Sequence, residues 1–277
     1  MTTGLCQDLL MAMANRIHYE ICGDGVPVLV MHGGLGLDHQ YLRPALDDLA
    51  GSAELVFYDH RGNGRSAPVE DWGQVTLESL ADDADALRQA LGFDRIVLYG
   101  HSYGGFVAIT YALRHQRRLS GLILAGTAAN LRHPPNIPPD ADPDAVAAFG
   151  ALFSGPMGSD GEWAETWSRA LPLYWPEMDR DTAADIHRRT IYRADAWNRS
   201  GPALAGYDVL DEMARIDVPV LLVCGRRDFL CGPAPYEDMH AVLPRSELVI
   251  LEDSGHFSFL SERERHREAV TGWLAAL

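Results

Sequence analysis

The chain has 277 residues, 47% of them hydrophobic and 22% charged, which is the balance of a globular protein with a sizeable core. Its 39 acidic against 23 basic side chains leave a formal charge of −16, a field that repels polyphosphates and excludes nucleic acid as a primary partner. Cys6, Cys22, Cys224 and Cys231 form no C-x-x-C pair and have no histidines at zinc-ligand spacing, so reduced thiols are expected rather than a disulfide framework or a metal site.

The opening stretch MTTGLCQDLLMAMANR has no basic segment ahead of a long apolar run and does not read as a secretory signal. No apolar run approaches the ~20 residues of a membrane helix, so a cytoplasmic chain without a membrane partner is expected. Residues 16–21 alternate in polarity and predict an antiparallel strand. Val26–Met31 (VPVLVM) is almost continuously apolar, as are 55–58, 96–99, 122–125, 218–223 and 248–251; strands buried on both faces have this pattern. Leu77, Leu80, Ala84, Leu87 and Leu91 recur at three- and four-residue steps, predicting a helix over 76–91 with Thr76 as N-cap and Gly92 as its stop. Strands alternating with helices predict an α/β fold, a mostly parallel sheet with helices on both faces.

Residues 131–206 break this rhythm. They open on LRHPPNIPPDADPD and continue with Phe149, Phe153, Trp163, Trp167, Tyr174, Trp175, Tyr192 and Trp197 on helical patterns. A stretch this long without a strand signature is too large for a loop. It predicts a helical cap over one end of the sheet, inserted into a core domain made of residues 1–130 and 207–277.

Gly100-His101-Ser102-Tyr103-Gly104 matches G-x-S-x-G, with strand RIVLY leading in and FVAITYALRH reading as the helix that follows. The strand–turn–helix context makes Ser102 the candidate nucleophile. A serine hydroxyl needs a base, and the base needs an orienting acid. His256, just past the last strand, is the candidate base; the remaining residues 260–277 predict one terminal helix. Asp228, in Gly225-Arg226-Arg227-Asp228 at the end of strand VPVLLV, is the candidate acid. All three fall after carboxyl ends of predicted parallel strands, where such sheets place chemistry. His101 adjoins Ser102, but consecutive side chains at such a turn point apart; His32 and His60 are expected to be structural, and Asp253 to serve its local turn. The N–H groups of Tyr103 and Gly34, the latter in His32-Gly33-Gly34-Leu35-Gly36, are the candidate oxyanion donors. That glycine loop lacks the spacing and lysine of a phosphate-binding loop.

Taken together, HGGLG, YDHRGNGRS at 58–66, GHSYGG, GRRD and SGH make the chain resemble the α/β-hydrolase superfamily over nearly its whole length. Within it the chain is similar to the branch of proline iminopeptidases and small esterases and lactonases. The resemblance implies an eight-stranded sheet, a helical cap after the sixth strand, and a Ser102–His256–Asp228 triad that needs no cofactor. Proline iminopeptidases usually carry HGGPG and a DQRG-type loop, where this chain has HGGLG and DHRG. Those enzymes hold the substrate's free ammonium group with cap carboxylates, a role open here to Glu162, Glu165, Glu177 and Asp179. A serine at 102 separates the chain from members that use an aspartate nucleophile.

The leading expectation is a serine hydrolase of small carboxylic esters or lactones. An aminopeptidase acting on N-terminal proline, and a non-catalytic member that binds a small ligand, are the alternatives. Leu35, Trp163, Trp167, Tyr174, Trp175 and Glu177 are the candidate substrate-binding residues, with the cap aromatics equally suited to packing the cap onto the core. The partner is expected to be a small molecule, and the sequence leaves open whether the chain acts alone or as a homo-oligomer.

Overall fold

The structure is a computed structural model that describes residues 16–277. Cys6 and the reading of the first fifteen residues lie outside the described part. Seven strands form one sheet: β1 (Tyr19–Cys22), β2 (Val26–Met31), β3 (Ala53–Tyr58), β4 (Ile96–His101), β5 (Leu119–Ala125), β6 (Val220–Gly225) and β7 (Ser246–Leu251). Their order is β1-β3-β2-β4-β5-β6-β7, with β1 antiparallel to β3 and every other pair parallel. The eight-stranded count implied by the resemblance is therefore not met among the described residues. The seven strand-like runs in the sequence each become one strand, and residues 16–277 hold no further run of that kind. The helical insertion accordingly follows the fifth strand of this set.

Strand side chains alternate between the two faces, as the pleat requires. Val28, Val30, Leu55, Phe57, Val97 and Tyr99 enter one buried cluster, whereas Leu29, Met31, Val56, Tyr58, Ile96 and Leu98 enter the other. The second face is covered by α1 (Leu77–Ala90), α2 (Tyr103–His115) and α7 (Pro233–Val242). In α1 the Thr76 side chain accepts from the Ser79 N–H, so the N-cap read from the sequence closes a capping box.

The first face is covered by α8 (Arg263–Leu274) and by Leu42, Ala45, Leu46 and Leu49; the helices that lie between β5 and β6, α3 (Pro143–Leu152), α4 (Asp160–Tyr174), α5 (Arg180–Arg189) and α6 (Ala194–Ser200), extend the same buried cluster. A bridge between Asn130 and Asp208 brings the two ends of this insertion together. The terminal segment is not one helix. A single turn at Ser258–Ser261 is separated from α8 by Glu262, whose carboxylate turns back to accept from Asp253 N–H and Ser254 Oγ–H.

Candidate active site

The chain runs from β2 outward to β3, then returns past β2 to β4, so strand order reverses between β2 and β4. Ligands of open parallel sheets bind at such a switch point, beyond the carboxyl ends of the strands. Here Met31, the last residue of β2, lies in register with Gly100 of β4. The loop after β2 and the turn after β4 are neighbours for that reason.

Ser102 sits on that turn with φ 52° and ψ −119°, the only non-glycine residue at positive φ among those described. Such a conformation costs about 1–3 kcal/mol and persists only where the surroundings enforce it. They do so here: Ser102 N–H donates to Ala125 O at 2.9 Å, and α2 begins at the next residue. Gly104 is required by close approach, because a Cβ there would lie 2.2 Å from Met31 O. The turn thus presents Ser102, half-buried, at the N-terminus of α2, whose dipole is positive at that end.

His256 and Asp228 meet as the sequence predicts. His256 Nδ1–H donates to Asp228 Oδ2 at 2.8 Å, with both residues buried. Asp228 Oδ1 accepts from the N–H groups of Leu230 and Cys231, which fixes the carboxylate in its turn. His256 N–H donates to Tyr174 O at 2.8 Å, so the end of α4 holds the histidine's backbone. With Nδ1 protonated, Nε2 keeps a lone pair to accept a proton. A Cβ placed on Gly126, the residue after Ala125, would lie 3.2 Å from His256 Cε1. Ser102 and His256 thus both lie against the Ala125–Gly126 pair. No hydrogen bond joins their side chains among the described residues, and such bonds commonly close only around substrate.

Two backbone donors beside Ser102 are unengaged. Gly33 N–H donates to Tyr41 Oη and Gly36 N–H to Asn63 Oδ1, while the Gly34 N–H between them has no acceptor among the described residues. Gly34 holds φ 65°, which glycine alone adopts freely. Tyr103 N–H, in the first position of α2, has no intrahelical acceptor. The loop at 58–66 braces this arrangement through Asn63 and through Asp59. Burial acts to raise the Asp59 pKa, but hydrogen bonds from the His39 ring and the Arg65 N–H hold it well below the usual carboxylate range.

One network was not foreseen. The Tyr41 hydroxyl accepts from Gly33 N–H and donates to His101 Nδ1, each at 2.6 Å, and His101 Nε2–H donates to His256 O at 3.2 Å. A single chain of hydrogen bonds thus joins the candidate oxyanion loop, the residue before Ser102 and the backbone of the candidate base. Burial, reinforced by the neighbouring His256, pushes the His101 pKa well below its ordinary value, which favours the neutral ring. His101 in G-H-S was the only sequence signal of the network; nothing marked Tyr41. His32 is structural as expected, with Nδ1–H on Gly33 O and Nε2 accepting from His60 N–H. His60 donates to His32 O, and its Nδ1 is unpartnered.

The candidate substrate-binding residues divide. Trp167 and Trp175 line a cavity of about 390 Å³ between α4, α5 and the loops bearing Leu37, Tyr41 and Phe257. Tyr174 packs its ring against His256, centroids 5.5 Å apart. Trp163 is fully buried, stacks on Trp197 and donates Nε1–H to Gly36 O, so it fastens the insertion to the glycine loop. Leu35 packs beside the second core cluster, outside the cavity wall. Glu177 faces outward and pairs with Arg227 at 2.9 Å. Asp228, Cys231 and His256 also place one ligand atom each within 4.8 Å of one another. As a metal site the set is poor: the carboxylate already accepts three N–H bonds, and burial raises the Cys231 thiol well above its ordinary pKa, keeping it protonated. Cys22, Cys224 and Cys231 are free thiols.

The comparisons with known proteins agree with this architecture. A family model for the alpha/beta hydrolase fold matches residues 26–263. A proline iminopeptidase of Saccharolobus solfataricus is 30% identical over 270 residues, which are 91% of this chain and 86% of that protein. An esterase from Thermogutta terrifontis superposes with a TM-score of 0.75 at 27% identity, over 94% of this chain and 93% of that one. An enol-lactonase from Burkholderia xenovorans LB400 gives 0.75 at 25% identity, over 94% and 96%. The strand order, the serine turn at its switch point and these likenesses converge on one conclusion: the chain belongs to the α/β-hydrolase family and is a hydrolase.

Proposed function

We propose that the protein is a cofactor-independent serine hydrolase of small carboxylic esters or lactones, with residues 131–206 as the cap over its site. His256 Nε2 takes the proton of Ser102 Oγ as that oxygen attacks the substrate carbonyl. The developing oxyanion accepts from the Gly34 and Tyr103 N–H groups, which lie idle until then. Asp228 holds the imidazole in the productive tautomer and stabilises the imidazolium. His256 gives the proton to the leaving oxygen, and water activated by the same ring then releases the acid from Ser102.

The preference for esters and lactones over N-terminal amides rests on one observation. The cavity lies beside the triad, its wall including Phe257 and Tyr41 but not Ser102 or His256, and no Asp or Glu lines it to give a free ammonium group a counter-charge. The four cap carboxylates open to that role are exposed. Glu162 accepts from Gly158 N–H, Glu177 pairs with Arg227, and Asp179 caps α5. The aminopeptidase reading is favoured by the names of the curated relatives, proline iminopeptidases at 24–30% identity.

Steady-state rates on a p-nitrophenyl acyl ester, a γ-lactone and a prolyl arylamide separate the two. Efficient cleavage of ester or lactone with weak arylamide turnover is expected. A strong arylamide preference that vanishes when the amine is acylated would establish the aminopeptidase instead.

A further inference from the structure

Three N–H groups of the insertion end on the loop that carries the candidate oxyanion donor Gly34. Gly36 O accepts from Trp163 Nε1–H at 3.0 Å and from Arg193 N–H at 2.8 Å, so both lone pairs of one carbonyl are taken by the insertion. Two residues on, Asp38 Oδ2 accepts from Ile191 N–H at 2.9 Å. Glycine is required at 36 for so close a grip, since its φ is 80° and a Cβ would lie 2.3 Å from Arg193 O. The Arg193 guanidinium also donates twice to Gly64 O, at 3.0 and 3.1 Å, next to the Asn63 whose Oδ1 accepts from Gly36 N–H. Trp163 stacks on Trp197, and Trp197 N–H donates to Arg193 O, so the two gripping residues form one unit.

Gly34 therefore lies in a short span with one anchor in the core and one in the insertion. Tyr41 Oη holds Gly33 N–H on one side, and Trp163 and Arg193 hold Gly36 on the other. A glycine loop has wide conformational freedom unless it is tied. An oxyanion donor must stand about 2.7–3.1 Å from the oxygen it serves, and a misplacement of about 1 Å costs on the order of a hundredfold in rate. The other candidate donor, Tyr103 N–H, is set by the start of α2 in the core.

We infer that the cap is part of the scaffold of the oxyanion hole: Trp163 and Arg193 are positioning residues that hold the Gly34 N–H where negative charge develops, so the site is complete only with the cap seated. The inference rests on the serine-hydrolase reading above and deepens it. It holds for ester, lactone and amide alike, because each passes through a tetrahedral oxyanion on Ser102.

The test compares a compound that forms an oxyanion with one that does not. Ser102 Oγ adds to the carbonyl carbon of trifluoromethyl pentyl ketone, the π pair moves onto the ketone oxygen and the serine proton passes to His256; methyl pentyl ketone binds without adding. Calorimetry gives both affinities, and fluorine NMR identifies the adduct. In Trp163→Phe, which keeps an aromatic ring and loses the N–H, the trifluoromethyl ketone is expected to bind about tenfold or more weaker, with methyl pentyl ketone little changed. On p-nitrophenyl butyrate kcat falls by a similar factor while KM stays near wild type. Arg193→Met, at a half-exposed side chain, gives the same split at a smaller size and decides the matter if Trp163→Phe does not fold. Trp72→Phe is the control. Its indole N–H also bonds the insertion, at Asp195 Oδ2, but away from the glycine loop, and this variant keeps wild-type values. Unchanged affinity for the trifluoromethyl ketone in both variants, equal weakening of the two ketones, the same loss in Trp72→Phe, or no adduct on the wild-type protein would each overturn the inference. An adduct without cleavage of the ester would instead sink the ester reading, with the ketone affinities still deciding what the cap positions.

Discussion

At the scale of single residues, the site is a matter of which N–H and ring nitrogen has a partner. Gly33, Gly36 and Ser102 donate their N–H groups to Tyr41, Asn63 and Ala125, and the unengaged donors lie between and beside them. Tyr41 has the most consequences of the residues that do not touch the reacting atoms. Tyr41→Phe leaves Gly33 N–H without an acceptor and His101 Nδ1 without a donor, each a loss of about 1–3 kcal/mol in buried surroundings. The expected outcome is a fall in kcat on the order of tenfold or more with KM little changed, read from ester hydrolysis, while circular dichroism shows an intact fold. An unchanged kcat would show that the network does not position the site. Ser102, Asp228 and His256 were legible because each follows a strand whose apolar run is unmistakable. Tyr41 was not, since one tyrosine in an irregular loop has no periodicity and its partners are 8 and 60 residues away.

At the scale of elements, register does what the motif alone cannot. The parallel pairing of β2 with β4 sets Met31 beside Gly100, and Gly104 then passes so close to the β2 carbonyls that no side chain fits. Gly104→Ala is expected to destabilise the protein by about 2–3 kcal/mol through overpacking against backbone. That corresponds to a Tm lower by roughly 4–12 °C, measured by calorimetry. An unshifted Tm would mean that the turn relaxes without strain. The strands were readable because burial on both faces leaves a continuous apolar run. The terminal helix was misjudged as continuous because its break comes from the Glu262 side chain folding back, a tertiary bond invisible in local pattern. The roles of the cap tryptophans were equally hidden. Trp163 and Trp167 lie four residues apart on one face of α4, yet one is seated on Gly36 O and the other lines the cavity. Both read as an apolar helical stripe.

At the scale of the whole molecule, several buried histidines make stability depend on pH. Burial pushes His32 and His266 down to about 4 from 6.5. Between those values the unfolded chain takes up protons that the folded protein refuses, so stability is complete above pH 6.5 and is lost as pH falls towards 4. Each histidine contributes a slope of roughly 1.4 kcal/mol per pH unit inside that window. Urea denaturation at pH 7.5, 6 and 5 should show the decline, and His266→Gln should make it shallower by about that slope. Equal stability at all three values would contradict the burial of neutral rings. The charge of −16 acts at the same scale, as a field that repels polyanions. Every functional statement depends finally on Ser102 being the group that attacks. The direct measurement is intact-mass and peptide mapping after reaction of the folded protein with a fluorophosphonate. One adduct, on Ser102, with complete loss of hydrolysis is the expected result, and Ser102→Ala should take no label and lose on the order of 10⁴–10⁶ in kcat. An unlabelled Ser102, or a Ser102→Ala variant that still turns over substrate near the normal rate, would contradict it.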